Sequence, residues 1–190
     1  MYEAVPDPYC YPGTHVLINR AGLTNQATLD AFEVEMVTQR LHEPLPLGRL
    51  GVRHYRAIHR HLFQDVYAWA GKFRTVRIAK RGSAFCYPEH IGREMRKLFS
   101  GLARQEHYGE LDASGFAAKA AHFLAELNAI HPFREGNGRA QMSFLVVLAD
   151  RASHPLDETR LEPARVLRAM VRSFGGDERP LAALIERLIS

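Results

Sequence analysis

Cysteine is scarce in this sequence: Cys10 and Cys86 are the only two among 190 residues. Two thiols so far apart supply neither a disulfide framework nor the paired spacing of a zinc site. The expectation is free thiols in a reducing compartment, and so a cytoplasmic protein. No apolar run approaches the roughly 20 residues needed to cross a bilayer, so no membrane partner is expected. The opening stretch, MYEAVPDPYCYPGTHVLINR, has no basic segment leading into an apolar one, which argues against a secretory leader. Dense Lys/Arg runs are missing as well. The formal charge is +4 and the pI about 9.3, yet the basic residues are scattered. Neither basic stripes nor interleaved stacking aromatics point to direct nucleic-acid binding. Internal repeats, low-complexity tracts and flexible linkers are also lacking.

What is present is an ordinary globular balance, 46% hydrophobic and 24% charged, at a length that suits one domain. Residues 1–23 are rich in Pro, Gly and Tyr and read as an extended arm lying on the body. Helical periodicity takes over after it. Leu29, Phe32, Met36 and Val37 predict a helix over 28–41, ended by Pro44 and Pro46. Leu50, Tyr55, Ile58 and Leu62 predict a second over 49–63. Ile91, Met95, Leu98, Phe99 and Leu102 predict a third over 89–106. Asp112 suits the N-cap of a helix running to Asn128, with Phe116, Ala120, Phe123, Leu124 and Leu127 inward. Residues 138–152 are apolar almost all round and should form a central helix. Two more helices are expected over 160–174 and 179–189, separated by Gly175-Gly176.

One segment breaks the pattern. Within 72–87, Phe73, Val76 and Ile78 alternate with Arg74, Arg77 and Lys80. Arg81-Gly82-Ser83 supplies turn chemistry, and Ala84–Tyr87 a return. That predicts a β-hairpin. A lone hairpin is marginal in water, so it must lean on the helices and leave one edge open. The expected fold is mainly α with a single hairpin.

Between the helices at 112–128 and 138–152 lies the loop His131-Pro132-Phe133-Arg134-Glu135-Gly136-Asn137-Gly138-Arg139. Its residue types suit a phosphate. Glycines let backbone N–H groups converge, and the following helix adds uncapped N–H groups and the positive end of its dipole. Arg139, in the first turn, offers a planar fork of donors, and its charge opposes the dipole until an anion arrives. Glu135 is a hard oxygen ligand suited to Mg²⁺ carried by a nucleotide. Imidazole titrates near neutrality, so His131 is a candidate general base. The other nine histidines, His59 among them, are expected to be structural.

The loop HPFREGNGR also resembles the signature of Fic-domain proteins, HxFx(D/E)GNGR, at every specified position. The likeness extends to INRAGLTNQATLDAFE, LFQDVYAWAGKFRTVRIAKRGSAF and AELNAIHPF, and so to roughly residues 8–190. The resemblance implies a Fic-type helical bundle over 24–190, with the hairpin at about 72–87 as a flap over an active loop at 131–139. It further implies transfer of AMP from ATP, with Mg²⁺, to a Tyr, Thr or Ser hydroxyl of a target protein. His131 would be the base, Glu135 the metal ligand, and Gly136, Asn137, Gly138 and Arg139 the phosphate site. The flap would dock the target by β-augmentation, with Arg74, Thr75, Val76, Lys80 and Phe85 as contributors.

Two departures refine this. Many family members carry GNGRxxR, but the second arginine is Met142 here, which implies weakened nucleotide binding. The family's inhibitory motif, (S/T)xxxE(G/N), is absent. The chain therefore looks like members restrained by a small separate antitoxin that supplies a glutamate, members that act as toxins on targets including type II topoisomerase subunits. Two other readings stand beside this one. A Doc-type phosphotransferase is disfavoured by Gly138, which leaves the phosphate site open. A binding module that has lost activity is the reading that Met142 suggests.

Overall fold

The structure, a computed structural model, describes residues 7–80 and 83–190. Among these, seven α-helices account for most of the chain: α1 Gln26–Leu41, α2 Val52–Phe63, α3 Pro88–Arg104, α4 Ala113–Ile130, α5 Asn137–Arg151, α6 Pro163–Phe174 and α7 Arg179–Leu188. Two short strands, β1 Ala79–Lys80 and β2 Ser83–Ala84, lie between α2 and α3. Among the described residues no helix is long and apolar enough to cross a membrane.

The helices follow from local signals. Asn25 caps α1 by accepting the Thr28 N–H, and Asp112 caps α4 by accepting that of Gly115. Pro88, Pro163 and Pro180 lie in the opening turns of α3, α6 and α7, where a missing N–H costs nothing. The second helix starts at Val52, three residues later than its apolar pattern suggests. Leu50 is buried but holds a left-handed φ of 51°, so it packs inward from a turn. His54 secures that turn: its Nδ1 accepts the Leu50 N–H at 3.2 Å. Likewise α6 begins at Pro163 because Asp157 caps a separate short turn over Glu158–Arg160.

Helix α4 runs through the middle and packs on α3, α5, α6 and α7, while α2 packs on α1 and α5. Where α2, α3, α4 and α5 meet, Tyr55 touches Phe99, Phe133 and Phe144, with ring centroids 5.4–5.8 Å apart. Each of these buried aromatics contributes about 1.5–3 kcal/mol by leaving water. Burial pushes the Tyr55 phenol pKa far above its ordinary value, so it stays neutral. This cluster sits directly under the loop from Phe133 to Asn137.

Three expectations need correction. Over its described residues the arm folds back on itself: Cys10 bridges to Leu17, and Tyr11 N–H and Ile18 N–H pair with Val16 and Tyr9 carbonyls at 2.9 and 2.7 Å. The hairpin is shorter than predicted. Its ladder pairs Ala79 with Ala84 and Lys80 with Ser83, and one further bond joins Phe85 N–H to the Ile78 carbonyl. Residues 73–78 lie outside any strand, and the expected turn at Arg81-Gly82 lies outside the described residues. Finally, Arg74, expected among the residues that dock a target, is buried. It is 2% exposed, because its guanidinium satisfies carbonyls of two converging segments that have no ladder to satisfy them.

Candidate active site

The loop starts with a backbone device. His131 ends α4 in the left-handed conformation, φ 48° and ψ 64°, while its N–H still bonds the Leu127 carbonyl. That residue turns the chain out of the helix, a position glycine usually fills. His131 is half-buried, and its ring stacks on Phe85, centroids 3.9 Å apart and planes within 16°. Phe85 in turn meets Phe174 edge-on at 5.5 Å. The backbone at His131 is pinned from behind by Arg74. Nε donates to the His131 carbonyl at 2.8 Å and Nη1 to Val76 at 2.6 Å. Nη2 donates to Cys86 at 2.6 Å and Ile130 at 3.3 Å. One guanidinium thus ties the end of α4 to both sides of the hairpin segment.

Phe133 is fully buried and anchors the next turn. Asn137 then closes the loop onto itself: its Oδ1 accepts the Phe133 N–H at 2.9 Å and its Nδ2 donates to the Phe133 carbonyl at 2.8 Å. Both polar ends of this 2%-exposed side chain are engaged within the loop. Gly136 has φ +79°, and a Cβ there would collide with the Phe63 ring. Glycine is therefore required twice over. Gly138 differs: an added Cβ would meet nothing within 4 Å. Among the described residues nothing requires glycine there, and the space beside it is open.

Helix α5 begins without a side-chain cap. Its first-turn N–H groups and its positive dipole end form an anion site by construction. An anionic oxygen already uses it: Glu135 Oε1 accepts the Gly136 N–H at 2.9 Å and lies 3.7 Å from Arg139 Nη2. Arg139 is itself aimed. It donates to Glu33 on α1 at 2.6 Å, and its guanidinium lies 4.6 Å over the Phe63 ring. Tyr67 donates a short hydrogen bond to the other Glu33 oxygen. Burial first, and then Glu33, push the Tyr67 phenol pKa up, so it remains a donor.

The structure brings Glu135, Gly136 and Arg139 into contact and stacks Phe85 on His131. Of the other hairpin residues, Thr75 is exposed, and its N–H is taken by Tyr9 of the arm at 3.2 Å. Val76 is half-buried. The Lys80 side chain lies outside the described residues. Met142 is half-buried against the core, one helical turn beyond Arg139. Among the described residues no group of three His, Cys, Asp or Glu side chains could hold a metal by itself. A nucleotide-borne Mg²⁺ needs one or two carboxylates, with phosphates and water completing the shell. The exposed carboxylate of Glu135, beside open space at Gly138, fits that role.

Sequence reasoning missed Glu33, Tyr67 and His59. Glu33 had a signal: with Leu29 and Val37 it falls at i, i+4, i+8, an acid in the buried stripe of α1.

A family model described as Fic/DOC family matches residues 49–149. The chain is 56% identical to a Sinorhizobium fredii protein named "Probable protein adenylyltransferase y4lH", over 99% of this chain and 98% of that one. It is 39% identical to "Protein adenylyltransferase VbhT" of Bartonella schoenbuchensis, over 98% of this chain and 40% of that longer protein. Among solved structures, BepC of Bartonella tribocorum with bound AMPPNP superposes with a TM-score of 0.84 at 26% identity, covering 96% of each chain. With the loop, the helices and these likenesses in agreement, this chain belongs to the Fic/DOC family.

Proposed function

We propose that this protein is an adenylyltransferase that moves AMP from ATP onto a Tyr, Thr or Ser hydroxyl of another protein. The observation that carries the reading is the uncapped start of α5. There the Gly136 N–H and Arg139 already converge on one oxygen of the Glu135 carboxylate, a few residues after His131. A phosphate oxygen makes the same demands and brings more charge. The names of the relatives and the AMPPNP held by BepC support a nucleotide as the source of that phosphate.

His131 takes the proton of the target hydroxyl as its oxygen attacks the α-phosphorus in line. The new P–O bond forms, the bond to the bridging oxygen breaks, and pyrophosphate leaves. Backbone N–H groups of residues 136–138 and the Arg139 fork hold the charge that builds on the phosphoryl oxygens. Glu135 would hold Mg²⁺, which neutralises the phosphates when bound. The target docks along the hairpin edge, with Thr75, Val76, Lys80 and Phe85 nearby, while Arg74 braces the base from inside. Glu33 keeps the Arg139 fork oriented. With no inhibitory glutamate motif of its own, the chain is held by a separate antitoxin, and it acts as a cytoplasmic toxin; type II topoisomerase subunits are the target class.

The test is incubation with labelled ATP, Mg²⁺ and bacterial lysate. A labelled protein band should appear with the wild type and vanish with His131→Ala, and mass spectrometry should find an AMP adduct. No His131-dependent label would overturn the reading, and a phosphate adduct would replace it with phosphotransfer. Met142→Arg should tighten Mg-ATP binding by about tenfold, roughly 1.4 kcal/mol. Isothermal titration checks this, and unchanged affinity refutes the role given to position 142.

A further inference from the structure

Glu135 and Gly136 share one peptide unit. In a planar trans peptide the carbonyl and the N–H point to opposite sides, and no cis bond occurs among the described residues. Whatever holds the Glu135 carbonyl therefore aims the Gly136 N–H. That carbonyl is held by His59 of α2, whose Nε2 lies 3.0 Å from it. The other ring nitrogen, Nδ1, accepts the Gly71 N–H at 2.9 Å. A nitrogen that accepts carries no proton, so the neutral ring bears its hydrogen on Nε2 and donates to Glu135.

The ring has no freedom to turn. It is fully buried, with its centroid 3.7 Å from that of Phe133 and 4.7 Å from that of Phe63. Gly71 is a firm anchor too, because its carbonyl accepts from Arg56 Nε at 2.7 Å, also on α2. On the far side of the same peptide the N–H meets the Glu135 carboxylate. A flipped peptide would present a carbonyl there, an acceptor where the anion needs a donor.

We infer that His59 is a positioning residue: its Nε2–H holds the 135–136 peptide so that the Gly136 N–H faces the phosphate. The inference rests on the phosphate-site reading above. It also differs from a general packing role, because it assigns separate duties to the two ring nitrogens. Two substitutions separate them. The amide oxygen of His59→Asn overlays Nδ1 and keeps the Gly71 contact but leaves no donor near Glu135. The amide nitrogen of His59→Gln reaches the Nε2 position and keeps that donor.

The experiment is titration of ¹⁵N-labelled full-length protein with Mg-ADP, following the Gly136 and Gly138 amide signals, with thermal melts as the folding check. In the wild type both signals should move on binding. His59→Gln should bind within about threefold of the wild type, whereas His59→Asn should bind about tenfold more weakly. In the asparagine variant the Gly136 signal should stay still while that of Gly138 still moves. If the wild type itself fails to bind Mg-ADP, the phosphate-site reading falls. If it binds, and His59→Asn shows the same Gly136 response and affinity, the positioning role is overturned. It is overturned equally if folded His59→Gln loses the Gly136 response, and this arm stands even where the asparagine variant does not fold.

Discussion

The loop at 131–139 and the hairpin at 79–84 meet where Phe85 stacks on His131, yet they rest on different foundations. The loop is fixed from below by the core: Phe133 and Asn137 are buried, Gly136 fits against Phe63, and His59 holds the Glu135 carbonyl. The hairpin has a ladder of two residue pairs, and its flanks are tied to the end of α4 and the loop by the buried Arg74 guanidinium, by backbone bonds from Arg74 to Pro132 and from Cys86 to Ala129, and by the stack of Phe85 on His131. A site that must bind a charged ligand with fixed N–H groups is placed on the rigid part.

The largest break in this comparison should come from Gly136→Ala. A left-handed residue costs about 1–2 kcal/mol, and the collision with Phe63 adds about 1–3 kcal/mol. The expected loss of about 4 kcal/mol lowers the melting temperature by roughly 12 °C, with nucleotide binding abolished; a scan within a few degrees of the wild type would show that the loop is not held as described.

Acid should act next. The folded-state pKa of His59 is lowered to about 4 from 6.5, so the unfolded chain binds its proton first. The stability contributed by the neutral ring is full above pH 6.5 and is lost as pH falls toward 4. It amounts to roughly 3 kcal/mol. Urea unfolding at about pH 7 and about pH 4.5 should show this loss in the wild type and a smaller one in His59→Gln; equal losses would refute it.

Arg74→Lys probes the hairpin. An ammonium cannot reach four carbonyls that a planar fork spans, so about 2 kcal/mol is expected to go. Hydrogen exchange should quicken at Phe85 and Cys86 far more than at residues 136–138. Uniform quickening would mean that loop and hairpin form one unit. Thr75→Ala, at an exposed residue of the hairpin segment, should change stability by no more than about 0.5 kcal/mol; a thermal melt decides it, and any effect there belongs in target labelling.

Much of this is legible in the residues. Helix periodicity locates all seven described helices, because each must bury one stripe of apolar side chains. The loop is legible because its chemistry is contiguous in sequence. Arg74 is misplaced by the same kind of reading, since alternation with Phe73 and Val76 describes a strand that never forms. Asn137 reads as part of the phosphate site, although its side chain is occupied in closing the loop. His59 looks like any other core histidine, because its two partners lie 12 and 76 positions away.

The sequence by itself determined the helical elements, the glycine-bearing loop and the residue types around a phosphate, for these depend on neighbours along the chain. Only the tertiary structure decided which groups are already engaged and which remain to act. That division depends on contacts between distant segments: α1 reaching Arg139 through Glu33, α2 reaching the Glu135 carbonyl through His59, and Arg74 spanning the end of α4 and the hairpin. A buried polar group must find its partner wherever packing places one, and sequence order carries no record of where that is.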